Sequence, residues 1–553
     1  MRQWLSLSSL SSPLARRGRS VSTASAAGFF LSSIKIKGFD LKTLKQGHCF
    51  MITGGLYHDN LVVSKFIDAC SSGGNVRYAY SVFVHQPCPN TYLHNTMIRA
   101  LSLTDEPESH AMAVMVYRKF RASCLRADTY TFPSVLKVVI RLSDVWLGRQ
   151  IHAQTAVSGL DSSVHVVTGL IQMYSSHGAI SIGDARKVFD ETYVRETAVW
   201  NALIAGYTRV GDMGEAKILL ETMPYCSRNV VSWTTVISGY AKSHRAREAI
   251  EMFQRMQQEN VMPDEVAVLA ALSACADMGA LELGEWIIRR YDHCLNRSVA
   301  MNNALIDMYA KSGNITMAME VFESVKEKNV VTWTTIITGL AMHGLGQEVF
   351  HMFGHMEKGG VKPNGVTFVA VLSACSHVGM VDLGQWYFSE MRSKYGIKPK
   401  IEHYGCMIDL LGRAGLLQEA EELATGMPFE PNAAIWGSLL AASNVNRDLE
   451  LGERALKHLI ELEPDNSGNY MLMSNLYSNL GKWNEARMMR KMMNGIGVKK
   501  MTGGSSIGVR NKEYRFISGD SSHTRFNEIA ELLQDIDWQS QSNGESEEEH
   551  EWI

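Results

Sequence analysis

No CxxC pair occurs anywhere in this 553-residue chain. Its nine cysteines stand singly, as Cys49, Cys70, Cys88, Cys124, Cys226, Cys275, Cys294, Cys375 and Cys406. An odd, scattered set excludes a disulfide framework and suits a reducing compartment, with cysteine serving as a small core residue. Long apolar runs are also missing: none reaches the roughly 18 uncharged residues of a spanning helix, so no membrane partner is expected. A phosphate-binding glycine loop, a nucleophile elbow and a His-rich metal cluster are absent. No catalytic residue, metal or cofactor is therefore expected. The first 39 residues contain no Asp or Glu, are rich in Ser, and carry Arg2, Arg16, Arg17, Arg19, Lys35 and Lys37. That is the composition of an organellar transit peptide, and the spaced arginines point to the mitochondrion, with the chloroplast as the alternative.

What remains reads as a folded protein, 46% hydrophobic and 20% charged, yet too long for one compact core. The dominant signal is repetition. VVSWTTVISGYAKSHRAREAIEMFQRMQQENVMPD fills 230–264 and VVTWTTIITGLAMHGLGQEVFHMFGHMEKGGVKPN fills 330–364. TAVWNALIAGYTRVGDMGEAKILLETMP from 197 is a third version, and VAMNNALIDMYAKSGNITMAMEVFESV from 299 a shorter relative. The period is about 31 to 36 residues, with variants recurring at about 100. Within 230–264 apolar residues fall at helical spacing twice, as Val231, Val236 and Ile237, then Ala249, Ile250, Phe253 and Met256, around a turn from Gly239 to Arg245. Each repeat is thus expected to be a pair of short antiparallel helices that buries its apolar face only by stacking on its neighbours. The expected fold is all-α, a superhelical solenoid of helix-turn-helix repeats with a long concave face.

The unit length, the W-T/N-x-x-I-x-G-Y opening, the LxLG signature at Leu281 to Gly284 and the order of the variants resemble the plant pentatricopeptide repeat proteins of the PLS class. The tetratricopeptide pattern W-x-x-L-G-x-x-Y is absent from these units. On this resemblance the chain divides into a transit peptide (1–39), a partial repeat (40–60), eleven repeats (61–432), two E motifs (433–500), an E+-like segment (501–535) and an acidic disordered tail (536–553). Repeats are expected to start at 61, 91, 129, 164, 197, 230, 265, 299, 330, 365 and 401.

The resemblance implies a right-handed superhelix that binds single-stranded RNA, one base per repeat, read by the fifth residue of each unit and its last. The pairs are Asn95 with Asp128, Asn201 with Asn229, Thr234 with Asp264, Asn303 with Asn329, and Thr334 with Asn364. The family's rules turn them into 5′-NUNNYGNYANN-3′. Two readings stand for the last residues: Asp or Asn ahead of a helix is also what an N-cap looks like, which stabilises by about 1 kcal/mol without any ligand. Lys65 with Asn90, Thr168 with Glu196, and Gly405 with Asn432 fall outside the rules. The E and E+ segments imply C-to-U editing of organellar transcripts, with a DYW-type deaminase recruited in trans beside other editing factors. The chain itself lacks the zinc-deaminase set: His355-Met356-Glu357 satisfies H-x-E but has no CxxC partner. An RNA-binding factor for splicing, stabilisation or translation, and a protein-binding helical scaffold, are the other readings. The net charge of −3 weighs against binding dominated by phosphate neutralisation.

Overall fold

A computed structural model of the protein describes residues 40–193, 195–291, 298–497, 504–509, 512–517, 521 and 525–535. The expected transit peptide and acidic tail lie outside the described residues. The chain forms two compact units, Met1–Ala274 and Cys275–Ile553.

In the first unit the leading helices of successive hairpins, Asn60–Ser72, Thr91–Ser102, Thr131–Leu142, Val164–Ser176, Thr197–Val210 and Val230–Lys242, each pack on the next, and each packs on its own second helix. In the second unit Val299–Lys311, Val330–Met342, Gly365–Val378, Ile401–Arg413, Ala433–Asn446 and Ser467–Asn479 repeat the arrangement. Each unit is therefore an all-α solenoid. It is stabilised by contacts between helix faces along its length, with no single centre.

The helix Val230–Lys242 shows how sequence makes a repeat. Trp233, Val236 and Ile237 are fully buried, and so is Ser232 at the third helical position. Val231, expected among the buried apolar residues, is instead 53% exposed. A helix turns about 100° per residue, so burying Trp233 and Ile237 on one face carries Val231 away from it. Truncating Trp233 would cost about 3–5 kcal/mol through the cavity left behind. Gly239, expected to open the turn, lies inside the helix; a Cβ there would come 2.9 Å from Met213 Cε and Thr208 Cγ2. Glycine at this position lets the preceding hairpin approach closely. The turn itself is only 243–245, where His244 sits in the left-handed region at φ 54°, and the sister repeat has Gly344 at φ 71°.

The first complete hairpin starts one residue earlier than the sequence pattern suggests. Asp59 caps the helix Asn60–Ser72 by accepting from Leu61 N–H at 2.8 Å. The residue at the helical position of Asn95 is therefore Ser64, fully buried, rather than Lys65.

Neighbouring hairpins are also tied on their second helices by exposed ion pairs such as Arg77–Glu108 (2.6 Å), Arg255–Glu221 (2.6 Å) and Arg454–Glu421 (2.8 Å). Such pairs contribute about 0–1 kcal/mol each. In the region expected to hold E motifs, Trp436, Leu439 and Leu440 bury against Leu451, Ala455 and Leu459, and Met473 and Leu476 join the same cluster. Among the described residues the regular structure other than helix is a two-stranded antiparallel hairpin, β1 (Gly504–Val509) and β2 (Lys512–Ile517), in register from Gly504↔Ile517 to Val509↔Lys512. It falls within the E+-like segment, and a helix at 526–535 follows.

Candidate nucleic-acid interface

The last residue of four of the five predicted pairs caps a helix, and Asp128, two residues ahead of the N-cap Tyr130, bonds into the start of its helix. Asn229 Oδ1 accepts from Ser232 N–H at 3.1 Å, Asp264 Oδ1 from Ala267 N–H at 2.8 Å, Asn329 Oδ1 from Thr332 N–H at 2.9 Å, and Asn364 Oδ1 from Thr367 N–H at 2.9 Å. Asp128 Oδ1 accepts from Tyr130 N–H at 3.0 Å and Thr131 N–H at 2.9 Å. Capping thus occurs, but it occupies one oxygen. The second Oδ or the Nδ2 of each side chain is left over, and capping does not account for it.

The fifth residue meets that cap in three of the five pairs. Asn95 Nδ2 donates to Asp128 Oδ1 at 2.9 Å, Asn201 Nδ2 to Asn229 Oδ1 at 3.3 Å, and Thr234 Oγ1 to Asp264 Oδ1 at 2.9 Å. Thr334 reaches Asn364 only through Thr367, whose Oγ1 lies 2.8 Å from Thr334 Oγ1 and 3.1 Å from Asn364 Oδ1. Asn303 and Asn329 are not bonded to each other among the described residues, and Asn303 Oδ1 is buried without a partner. Asn95 Oδ1 is likewise buried and unpartnered. An unsatisfied buried amide oxygen costs about 1–3 kcal/mol, which a bound donor would relieve.

Of the pairs outside the rules, Thr168 Oγ1 is buried without a partner, while Glu196 stands at an N-cap and makes no side-chain cap bond. Asn432 caps Ile435 N–H at 3.1 Å, opposite a Gly405 with no side chain to offer.

A second row of residues does not stand out in the sequence pattern. At the second helical position large apolar side chains stand exposed: Tyr92, Val231 and Val331, three residues before Asn95, Thr234 and Thr334, and Val266 and Val366 in two repeats outside the five pairs; before Asn201 and Asn303 the position holds Ala198 and Ala300. The large side chains lie between 46% and 59% exposure, which no core requirement explains. Polar pairs beside a recurring apolar surface offer both edge contacts and a flat face against which a base can rest. Around Asn201 and Asn229, where the second helical position is Ala198, the surface opens into a depression of about 650 Å³, also lined by Arg195, Glu196, Thr197 and Ser227. The signal that could have exposed this row is the tryptophan at position four, as in Trp233: once it is inward, position two cannot be.

The H-x-E match is structural. Met356 is fully buried, and Glu357 accepts from Lys394 Nζ at 2.8 Å and from Tyr395 OH. Burial works to raise the Glu357 pKa, but those two bonds outweigh it and hold the carboxyl below its ordinary value. Among the described residues no group of three or more His, Cys, Asp or Glu side chains could hold a metal ion.

Comparison with known proteins agrees with the repeat geometry. The PPR repeat family profiles match 198–227, 228–277, 303–330, 328–377, 366–395 and 402–427, and the E-motif profile matches 446–508. A pentatricopeptide repeat-containing protein of Arabidopsis thaliana is 66% identical over 95% of this chain and 99% of its own length. Two others from that plant, one named chloroplastic and one mitochondrial, are 34% and 36% identical; they match 90% and 89% of this chain over 81% and 87% of their own lengths. Among solved structures, the maize pentatricopeptide repeat protein PPR10 aligns at 19% identity and a TM-score of 0.43 over 90% of this chain and 78% of its own. Its complex with an 18-nt psaJ RNA element aligns at 16% identity and a TM-score of 0.37 over 86% and 79%. The matched families are families of helical repeats, not of enzymes. With helical hairpins at the repeat period and a relative of 66% identity along nearly its whole length, the chain belongs to the pentatricopeptide repeat family.

Proposed function

We propose that this chain is a sequence-specific single-stranded RNA-binding adaptor for C-to-U editing in a plant organelle, the mitochondrion in our reading. The observation that carries the proposal is the recurrence, at the repeat period, of polar residues at the fifth and capping positions, bonded to each other in three repeats and accompanied in the repeats of Asn95, Thr234 and Thr334 by an exposed apolar residue. A repeat with both features then offers one base a surface to stack on and one or two hydrogen-bonding groups for its Watson–Crick edge. The pairs read 5′-NUNNYGNYANN-3′ from the first complete repeat to the last. Thr234 gives its proton to Asp264, so that pair has only acceptors left to offer, matching the N1–H and amino group of guanine. Thr334 with Asn364 offers an amide donor beside a hydroxyl, matching adenine. Several cations are already paired with carboxylates of neighbouring hairpins, so affinity rests on the bases more than on phosphates, as the net charge of −3 requires.

The E-motif match supports the editing half of the reading. Residues 433–535 would dock a DYW-type deaminase that acts in trans on a cytidine 3′ of the bound site, with other editing factors in the complex. The test is organellar RNA from plants lacking the protein: loss of editing at one or a few cytidines lying 3′ of a matching sequence supports the adaptor. Intact editing with altered splicing or RNA ends would replace it with an RNA-binding factor that does not edit. A reporter fused to residues 1–60 decides the organelle.

A further inference from the structure

The family's pairing rules leave two repeats degenerate, because Asn201 with Asn229 and Asn303 with Asn329 are the same pair. The structure separates them. Asn229 Oδ1 accepts from the helix N–H of Ser232 at 3.1 Å, so that atom is the carbonyl oxygen and its partner at 3.3 Å on Asn201 is the amino group. Asn201 Oδ1 is therefore turned inward, where it lies 2.6 Å from the Oγ of Ser232. Ser232 is fully buried and has one hydroxyl proton. Its alternative acceptor, Asn229 Oδ1 at 3.1 Å, already takes two donors. The proton goes to Asn201.

We infer that Ser232 is a positioning residue that makes the repeat beginning at Thr197 select cytosine over uracil. With both carbonyl oxygens used inside the protein, Asn201 and Asn229 present only N–H groups to the depression they line. The central atom of the cytosine Watson–Crick edge is an acceptor, N3, and takes such a donor; in uracil it is N3–H, a donor facing a donor. The repeat beginning at Val299 is arranged the other way. Thr332, at the position of Ser232, turns its hydroxyl to Asn329 Oδ1 at 3.0 Å, and Asn303 Oδ1 keeps no partner. That oxygen, buried but held by no protein donor, is left to accept uracil N3–H when the Asn303 amide turns to the base. The inference rests on the RNA-reading proposal and sharpens its string to 5′-NUNNCGNUANN-3′.

The experiment measures binding of the full chain to RNAs that differ only at the nucleotides facing these two repeats. Wild type should prefer C over U about tenfold at the first, where one base-edge hydrogen bond is either made or replaced by facing donors, and U over C at the second. Ser232→Ala should reduce the first preference below about threefold by freeing Asn201 Oδ1 as an acceptor, leaving the second unchanged. Ser232→Thr keeps the hydroxyl and the cap, guards against misfolding, and should relax the preference in the same direction if it adopts the Thr332 geometry. The guanine preference at the repeat beginning at Val230 is the internal control. If that preference persists while wild type treats C and U alike at the first repeat, or Ser232→Ala leaves its C preference intact, the role of Ser232 is overturned alone. If no repeat shows any base preference, the RNA reading falls and this inference with it.

Discussion

Replacing Asp264 by Asn separates the two roles of the reader's last residue. Asp264 Oδ1 accepts from Ala267 N–H at 2.8 Å and from Thr234 Oγ1 at 2.9 Å, so the cap and the link to the fifth residue both use one oxygen. Asn retains that oxygen and caps about as well as Asp, so thermal stability should change by less than about 0.5 kcal/mol. What changes is the outward atom, from an acceptor oxygen to a donor nitrogen. A guanine N1–H that met an oxygen now meets an N–H, whereas adenine N1 acquires a donor. One such hydrogen bond to a base is worth about 1–3 kcal/mol, roughly five- to 150-fold in relative affinity. Fluorescence anisotropy with four RNAs differing at the nucleotide opposite this repeat measures it directly. The order should change from G preferred to A preferred, as in the sister repeat with Asn364. Asp264→Ala should lose about 1 kcal/mol of stability as well as the preference. Equal binding of all four RNAs by wild type and Asp264→Asn, with only Asp264→Ala altered in stability, would show that the side chain is a cap and nothing more.

Other consequences concern the scaffold. Burial pushes the His94 imidazole below its ordinary value; the carbonyl of Asn90 opposes the shift and Lys119 adds to it. The unfolded chain then takes up the proton first, so stability from neutral His94 is complete above about pH 6.5 and is lost as pH falls through that value toward the lower folded one. His48 and His152, also lowered by burial, act in the same direction. Urea midpoints at pH 7.5 and 5.5 should drop more for wild type than for His94→Phe; equal drops would contradict the assignment. His244→Gly should stabilise by about 1 kcal/mol, since a left-handed backbone costs a side chain that much; a lower midpoint would show that the contacts of His244 outweigh its strain. Iodoacetamide at pH 8 should label the exposed Cys49, Cys88, Cys124 and Cys226 in the native protein and spare Cys70, Cys275 and Cys375, whose thiols burial pushes up to about 12. Peptide mapping by mass spectrometry reads the pattern, and rapid labelling of Cys275 or Cys375 would refute the packing of those helices.

Much of this architecture is legible in the chain itself because a repeat states its rules many times. The helix starts follow from Asn or Asp ahead of an apolar period, and at Asn229, Asp264, Asn329 and Asn364 the caps stand where that pattern puts them. Periodicity fails where two residue types satisfy it equally. Val231 and Trp233 are both apolar, and only packing against the neighbouring hairpin decides which is buried. The start at Asn60 departs from the pattern because Asp59 is one of several capable caps in the run HDN. The hydroxyls of Ser232 and Thr332 look alike in sequence; their different partners depend on a few tenths of an ångström. The strands at 504–509 and 512–517 have no repeat to be compared with, so nothing in the pattern marks them.

The central claim is that the polar pairs read bases in order. Its most direct test is binding of the full chain to a randomised RNA pool, followed by sequencing of the bound fraction. The account predicts enrichment of YGNYA with U three positions before its first Y, resolving on Ser232 and Asn303 to CGNUA. A bound fraction with the composition of the starting pool would contradict it, and would leave a helical scaffold whose partner is another protein.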